Sequence, residues 1–149
     1  LQSEMQVDQL QGELEASRAE ISAQKSLSAK LEDAFERLTT SAWNYEIALS
    51  KHKKGSLSAE QKSELNDLLK DVEQALTSEK GLPRRDWFKN MIYAPGYYTG
   101  YGVKTLPGIR EGLEERKWNE VRNYIEEIAK ALDRASAKIN SASKLLAAD

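Results

Sequence analysis

Few side chains in this sequence are able to do chemistry, and their spacing is as informative as their types. His52 is the single histidine and there is no cysteine, which removes thiolate nucleophiles, disulfides and the Cys/His sets that bind zinc. His52 stands among Lys51, Lys53 and Lys54 just before Gly55, the composition of a helix C-terminus, where positive charge suits the macrodipole. It reads as a surface cap, not as a ligand or general base. A di-metal carboxylate bundle needs Glu-x-x-His pairs on facing helices, and one histidine cannot supply them. The acidic residues Glu13, Glu15, Glu111, Glu114, Glu115, Glu126 and Glu127 fall mostly off the apolar stripes, as expected of a solvated helix face. Gly96, Gly100, Gly102 and Gly108 fit neither a phosphate loop nor a dinucleotide fingerprint, and no strand is expected before them. Lys80, Arg84, Arg85 and Lys89 form a small basic cluster, expected to serve helix-end electrostatics and to pair with Asp86, with anion or partner binding as the weaker alternative.

The elements that would position these residues are helical. The chain has 149 residues, enough for one domain with its own core. Glycine (8) and proline (3) are scarce, while Ala, Leu, Glu and Lys, the straight-chain helix formers, are abundant. A formal charge of −2 with both signs interspersed offers no basic face for nucleic acid and no polybasic patch for direct membrane contact. The absence of cysteine leaves the compartment open. The chain starts at Leu1 rather than Met, which points to a mature product or a piece excised from a longer protein, the second being expected.

Apolar residues recur at steps of three and four through Val7, Leu10, Leu14 and Ile21, and again through Leu31, Phe35, Leu38, Ala42, Tyr45 and Leu49. Ser17, Gln24 and Ser28 interrupt the stripe between the two runs, and a single helix to Lys51 would be about 65 Å long at 1.5 Å per residue. Two helices broken near residues 25–28 are therefore expected, the first spanning 1–27, with one long coiled-coil arm as the alternative. Ser58-Ala-Glu-Gln61 is a capping box that opens the next helix, with Leu65, Leu68, Leu69, Val72 and Leu76 on its face and Gly81 at its C′ position. Pro107 starts a short helix to about Glu115, and Trp118 to Leu146 carries the last stripe. The fold class is all-α: a four-helix, up-and-down type bundle in a single domain over 1–149, with a long structured loop before the last helices.

That loop, residues 81–108, is where the sequence becomes specific. It holds all three prolines and the aromatic residues Trp87, Phe88, Tyr93, Tyr97, Tyr98 and Tyr101. Trp87, Phe88, Met91 and Ile92 are expected to anchor it in the bundle and the tip from Ala94 to Gly102 to be exposed. Gly81-Leu82-Pro83, the aromatic pair Trp87-Phe88, Tyr93-Ala94-Pro95 and the Pro107-Gly108 helix start resemble the C-terminal helical domain of the glutamate carboxypeptidase II and transferrin receptor family. The likeness covers roughly residues 28–146; Leu106 replaces a usual Phe, and Asn90 stands where a His is common in the animal enzymes.

The resemblance implies a transferrin receptor-like dimerisation domain that packs on itself as a homodimer and on the catalytic domain of its parent chain. Zinc and the catalytic residues would lie in that absent catalytic domain, so this domain is expected to be non-catalytic and to hold no cofactor. In glutamate-selective members the loop reaches over the active site with a Lys-Tyr pair. Tyr101 matches the Tyr and is the substrate-pocket candidate, but Gly100 occupies the Lys position and cannot supply the cation. The alternatives to a dimerisation and interdomain-packing domain are a loop that completes the parent's substrate pocket, or a plain coiled-coil interaction module.

Overall fold

The computed structural model describes residues 2–148, with side chains from residue 5, so the two ends of the expected 1–149 domain lie outside it. The described chain runs α1 (Gln2–Lys51), α2 (Ala59–Ala75), β1 (Tyr93–Pro95), β2 (Val103–Thr105), α3 (Pro107–Glu114) and α4 (Trp118–Leu146). The all-α expectation holds, with one antiparallel pair of three-residue strands as the non-helical exception.

The expected break near residues 25–28 does not occur: α1 is one 50-residue helix, about 75 Å long at 1.5 Å per residue. No proline or glycine lies between Gly12 and Gly55 to interrupt it. At the expected break the Ser28 hydroxyl donates to the Glu32 carboxylate one turn on, at 3.2 Å, within the continuous helix. The first α-helix therefore does not end at residue 27, and the long-arm alternative is the one that forms.

The stripe assigned to the second half of α1 also needs correcting. Ala34 and Ser41 are buried and Leu31, Leu38, Tyr45 and Ala48 half-buried, whereas Phe35, Ala42 and Leu49 are exposed. Small side chains at 34 and 41 let α4 come close, which the larger alternatives would prevent. The two helices run parallel, since Arg37 meets Asp133 at 2.8 Å and Lys30 pairs with Glu126 in the same register. Helix α2 runs the other way, with Lys138 to Asp71 at 3.1 Å and Arg134 donating to the Thr77 carbonyl at 2.6 Å. Helix α4 thus sits between α1 and α2 and also carries α3, so the helical bundle is centred on α4.

Ser58 caps α2 as expected: its Oγ accepts from the Gln61 N–H at 3.1 Å, and Gln61 Oε1 accepts from the Ser58 N–H at 2.8 Å. The helix ends at Ala75, though, and Gly81 is not its C′ residue. Residues 76–78 instead pair with the returning loop, where the Met91 N–H donates to Leu76 O (3.0 Å) and the Ser78 N–H to Lys89 O (2.8 Å). Gly81, at φ +66°, marks a tight turn in which an added Cβ would stand 2.1 Å from the Asp86 carbonyl oxygen.

The core lies where this loop meets α1 and α4. Leu82, Met91 and Ala94 from the loop pack with Ala34 of α1 and Ile128, Ala129, Ala131 and Leu132 of α4. The four alanines keep the backbones close, and Ile128, Leu132, Leu82 and Met91 supply most of the apolar volume.

Candidate functional site

The long loop folds into a β-hairpin whose tip is the most exposed aromatic surface of the molecule. Tyr93 pairs with Thr105, Ala94 with Lys104 and Pro95 with Val103. The Gly96 N–H then closes the turn onto Gly102 O at 2.9 Å. Tyr101 stands at the tip fully exposed (102%), next to exposed Tyr98 and Tyr97, whose rings meet edge to face with centroids 4.9 Å apart. Ala94 and Gly96 are buried, so the exposed tip is shorter than expected, covering residues 97–103.

The other motif residues form the base of this hairpin. Leu82 is buried beside Met91, and Pro83 and Phe88 are half-buried. Trp87 does not anchor the loop: it is 69% exposed, with its ring centroid 6.3 Å from that of Phe88. The turn held by the Arg85 N–H to Leu82 O bond (3.1 Å) leaves Phe88 facing the core and Trp87 facing out. Pro107 occupies the first turn of α3, and Gly108 lies against the Tyr124 ring, where a Cβ would be 2.2 Å from Cδ1. The Tyr124 hydroxyl donates to the Gly81 carbonyl at 2.5 Å, so the two ends of the family motif are tied through one side chain of α4. Burial, helped by the negative charges of Glu120 and Glu127, pushes the Tyr124 phenol up to about 12.

The basic cluster meets other partners than Asp86. Lys80 pairs with Glu127 at 2.9 Å, and Arg84 pairs with Glu120 at 3.1 Å and Glu115 at 3.3 Å. Lys89 donates to the Glu79 carbonyl at 2.5 Å. The hydrogen bond from Lys80 holds the Glu127 carboxyl below the usual carboxylate range. Arg85 is buried and pairs with buried Glu111 at 2.6 Å, so Glu111 is not part of a solvated face. The sequence carried a signal for this. Gly108 and Gly112, four apart, mark the closely packed face of α3, and Glu111 lies on it.

His52 is half-buried at the end of α1, its Nδ1 3.4 Å from the Leu146 carbonyl and its Nε2 3.3 Å from the Ser56 hydroxyl. Among the described residues no group of three His, Asp or Glu side chains stands close enough to hold a metal ion, and no helix is long and apolar enough to cross a membrane.

A second exposed feature runs along α1. Residues 5–26 are exposed throughout, including Val7, Leu10, Leu14 and Ile21. At about 100° per residue these four share a sector of roughly 80° with Phe35 and Trp43. That sector lies roughly 140° around the helix from the face that packs on α4. The result is an apolar stripe, interrupted by Ser17, Ser28 and Glu32, with no partner within the described chain.

Residues 9–140 match the model of the transferrin receptor-like dimerisation domain. The chain belongs to that family. It is 36% identical over 111 residues to a probable glutamate carboxypeptidase of Arabidopsis thaliana, an alignment covering 69% of this chain and 16% of that protein. It is 35% identical over 77 residues to a probable glutamate carboxypeptidase of Arthroderma benhamiae, covering 52% of this chain and 11% of the other. A third relative, the vacuolar protein sorting-associated protein 70 of Saccharomyces cerevisiae, is 33% identical over 60 residues, or 40% of this chain and 7% of that one. The chain therefore spans about a sixth or less of the length of these relatives. As a dimerisation domain, it is a module for self-association built on helices.

Proposed function

We propose that this chain is the pairing and packing module of a longer, glutamate carboxypeptidase-like protein. The apolar stripe of α1 meets a second copy, and the 81–108 loop meets the catalytic domain of the parent chain. The unpartnered stripe carries the reading. A helix face from Val7 to Trp43 is about 54 Å long and about 10 Å wide, so two copies would bury about 1,100 Å². That is the low end for a specific interface and well below the roughly 2,000 Å² of an obligate one. The chain alone should therefore pair weakly, with the parent's other domains adding to the contact. Sedimentation velocity across a concentration series tests this: a concentration-dependent dimer is expected, and a strict monomer at high micromolar concentration contradicts pairing through the stripe alone.

The exposed tip of the hairpin favours a second role for the same module. Tyr101 projects from a short, closed hairpin and has no packing duty in this chain, which suits a residue that completes a pocket on another domain. Any zinc chemistry would belong to that domain, because one histidine and no cysteine do not fit a zinc site here. Tyr101→Phe in the full-length protein should alter KM for its substrate, and unchanged kinetics would assign the tip a purely structural role.

A further inference from the structure

Arg84 and Arg85 are neighbours in sequence, and both reach the base of the hairpin tip, one exposed and the other buried. Arg85 is buried and donates through Nη1 to the Pro95 carbonyl at 2.6 Å and through Nη2 to Glu111 Oε2 at 2.6 Å. The other Glu111 oxygen accepts from the Tyr97 N–H at 2.8 Å. One guanidinium and one carboxylate therefore hold the chain where it leaves β1 and enters the tip. The Tyr97 ring meets both arginines, 5.6 Å from Arg85 Cζ and 5.0 Å from Arg84 Cζ. Arg84 is fixed from outside by Glu115 and Glu120 and has φ +60°, a left-handed conformation that a non-glycine residue keeps only where its surroundings over-determine it.

This arrangement is a poor device for stability alone. A buried ion pair gives little or no net stabilisation over apolar residues of the same shape, and Arg85 Nε is buried without any hydrogen-bond partner. What the pair does supply is direction, since a planar fork fixes Pro95 and, through Glu111, Tyr97 in one relative orientation.

We infer that Arg85 and Glu111 are positioning residues that hold the Tyr97–Tyr101 tip as a preformed platform for the parent's substrate pocket. The pocket half of this statement rests on the reading that the hairpin reaches the catalytic domain. Preforming the tip removes the ordering cost that a free loop would incur when it meets its partner.

Glu111→Gln keeps the shape and removes the charge, and Arg85→Lys keeps the charge and removes the fork. Hydrogen exchange of the full chain should show amides 96–102 exchanging at least about tenfold faster in either variant, with Ile128–Ala135 of α4 unchanged. Equal acceleration in both segments would mean that the pair merely holds the fold, and no change in either would mean that it fixes nothing; each overturns the inference. If Glu111→Gln does not fold, Arg85→Lys is read in the same way. In the full-length parent, Glu111→Gln should raise KM about tenfold at unchanged kcat, as Tyr101→Phe should. An unchanged KM beside a responsive Tyr101→Phe overturns the positioning role. A loosened tip with both variants kinetically silent supports the positioning of the hairpin and sinks the pocket reading.

Discussion

Gly108→Ala probes the contact on which the loop's placement depends. Gly108 sits in the first turn of α3 with the Tyr124 ring against its α-carbon, and an added methyl would fall 2.2 Å from Cδ1 and 2.5 Å from Cγ. Rotating the ring about its long axis leaves Cγ in place and the clash unrelieved, and swinging it away would break the bond from its hydroxyl to the Gly81 carbonyl at 2.5 Å. Overpacking of this kind costs about 1–3 kcal/mol, and losing the Tyr124 hydrogen bond adds about 0.5–1.5 kcal/mol. A total of about 2–4 kcal/mol corresponds to a fall in Tm of roughly 4–16 °C for a domain of this length. Thermal melts followed by circular dichroism measure it, with Gly102→Ala as the control, since a Cβ there meets nothing within 4 Å. Coupling is tested by the cycle with Tyr124→Ala, in which the double variant should lose clearly less than the sum of the two single losses. A Gly108→Ala protein melting within about 1 °C of the parent, or strictly additive losses, would refute the close approach of α3 to α4.

Three further substitutions probe other parts of the same frame. Ile128→Ala empties a fully buried position where the loop meets α4, and should cost about 2–5 kcal/mol in denaturant unfolding. Ser58→Ala removes the capping box of α2 and should cost about 1 kcal/mol, read as a small drop in Tm. Burial raises the Tyr124 phenol from its ordinary 10.0 to about 12, so folding favours the neutral form. The stabilisation is complete below pH 10 and is lost as pH rises from 10 to about 12. After allowance for solvent screening of this half-buried group, the loss is about 1–2 kcal/mol. Tyr124→Phe should flatten that alkaline slope in unfolding experiments run at several pH values.

Helix type, the capping box at Ser58, the Pro107 helix start and the span of α4 were all legible in local sequence, because each depends on residues within a few positions of one another. The continuity of α1 was not. Polar residues at Ser17, Gln24 and Ser28 break a stripe without breaking a helix, and the two are distinguished only by what the helix packs on. The choice of inward face failed for a related reason. Leu31, Leu38 and Tyr45 belong to both candidate stripes, and what decides between them is the space α4 needs at Ala34 and Ser41. Trp87 was expected inside together with Phe88, but the Leu82–Arg85 turn sends Phe88 inward and leaves Trp87 exposed. The Arg85–Glu111 pair spans 26 positions, and charge patterning along a helix cannot reveal a partner in a distant loop. The motif residues Gly81, Leu82, Ala94, Pro107 and Gly108 come together around the hairpin base, while Tyr101 stands apart at its tip.

The central claim is that the outward stripe of α1 pairs two copies. Leu10 and Leu14 are 63% and 51% exposed and touch no core, so replacing both with Glu should leave the fold and its Tm nearly unchanged. Sedimentation equilibrium on the parent chain and on the Leu10→Glu, Leu14→Glu variant compares their dimer constants directly. Burying charge in an apolar seam predicts a dissociation constant raised by about 100-fold or more, equivalent to about 2.7 kcal/mol. A dimer of undiminished affinity in the doubly substituted chain would show that the copies meet elsewhere and would contradict the account.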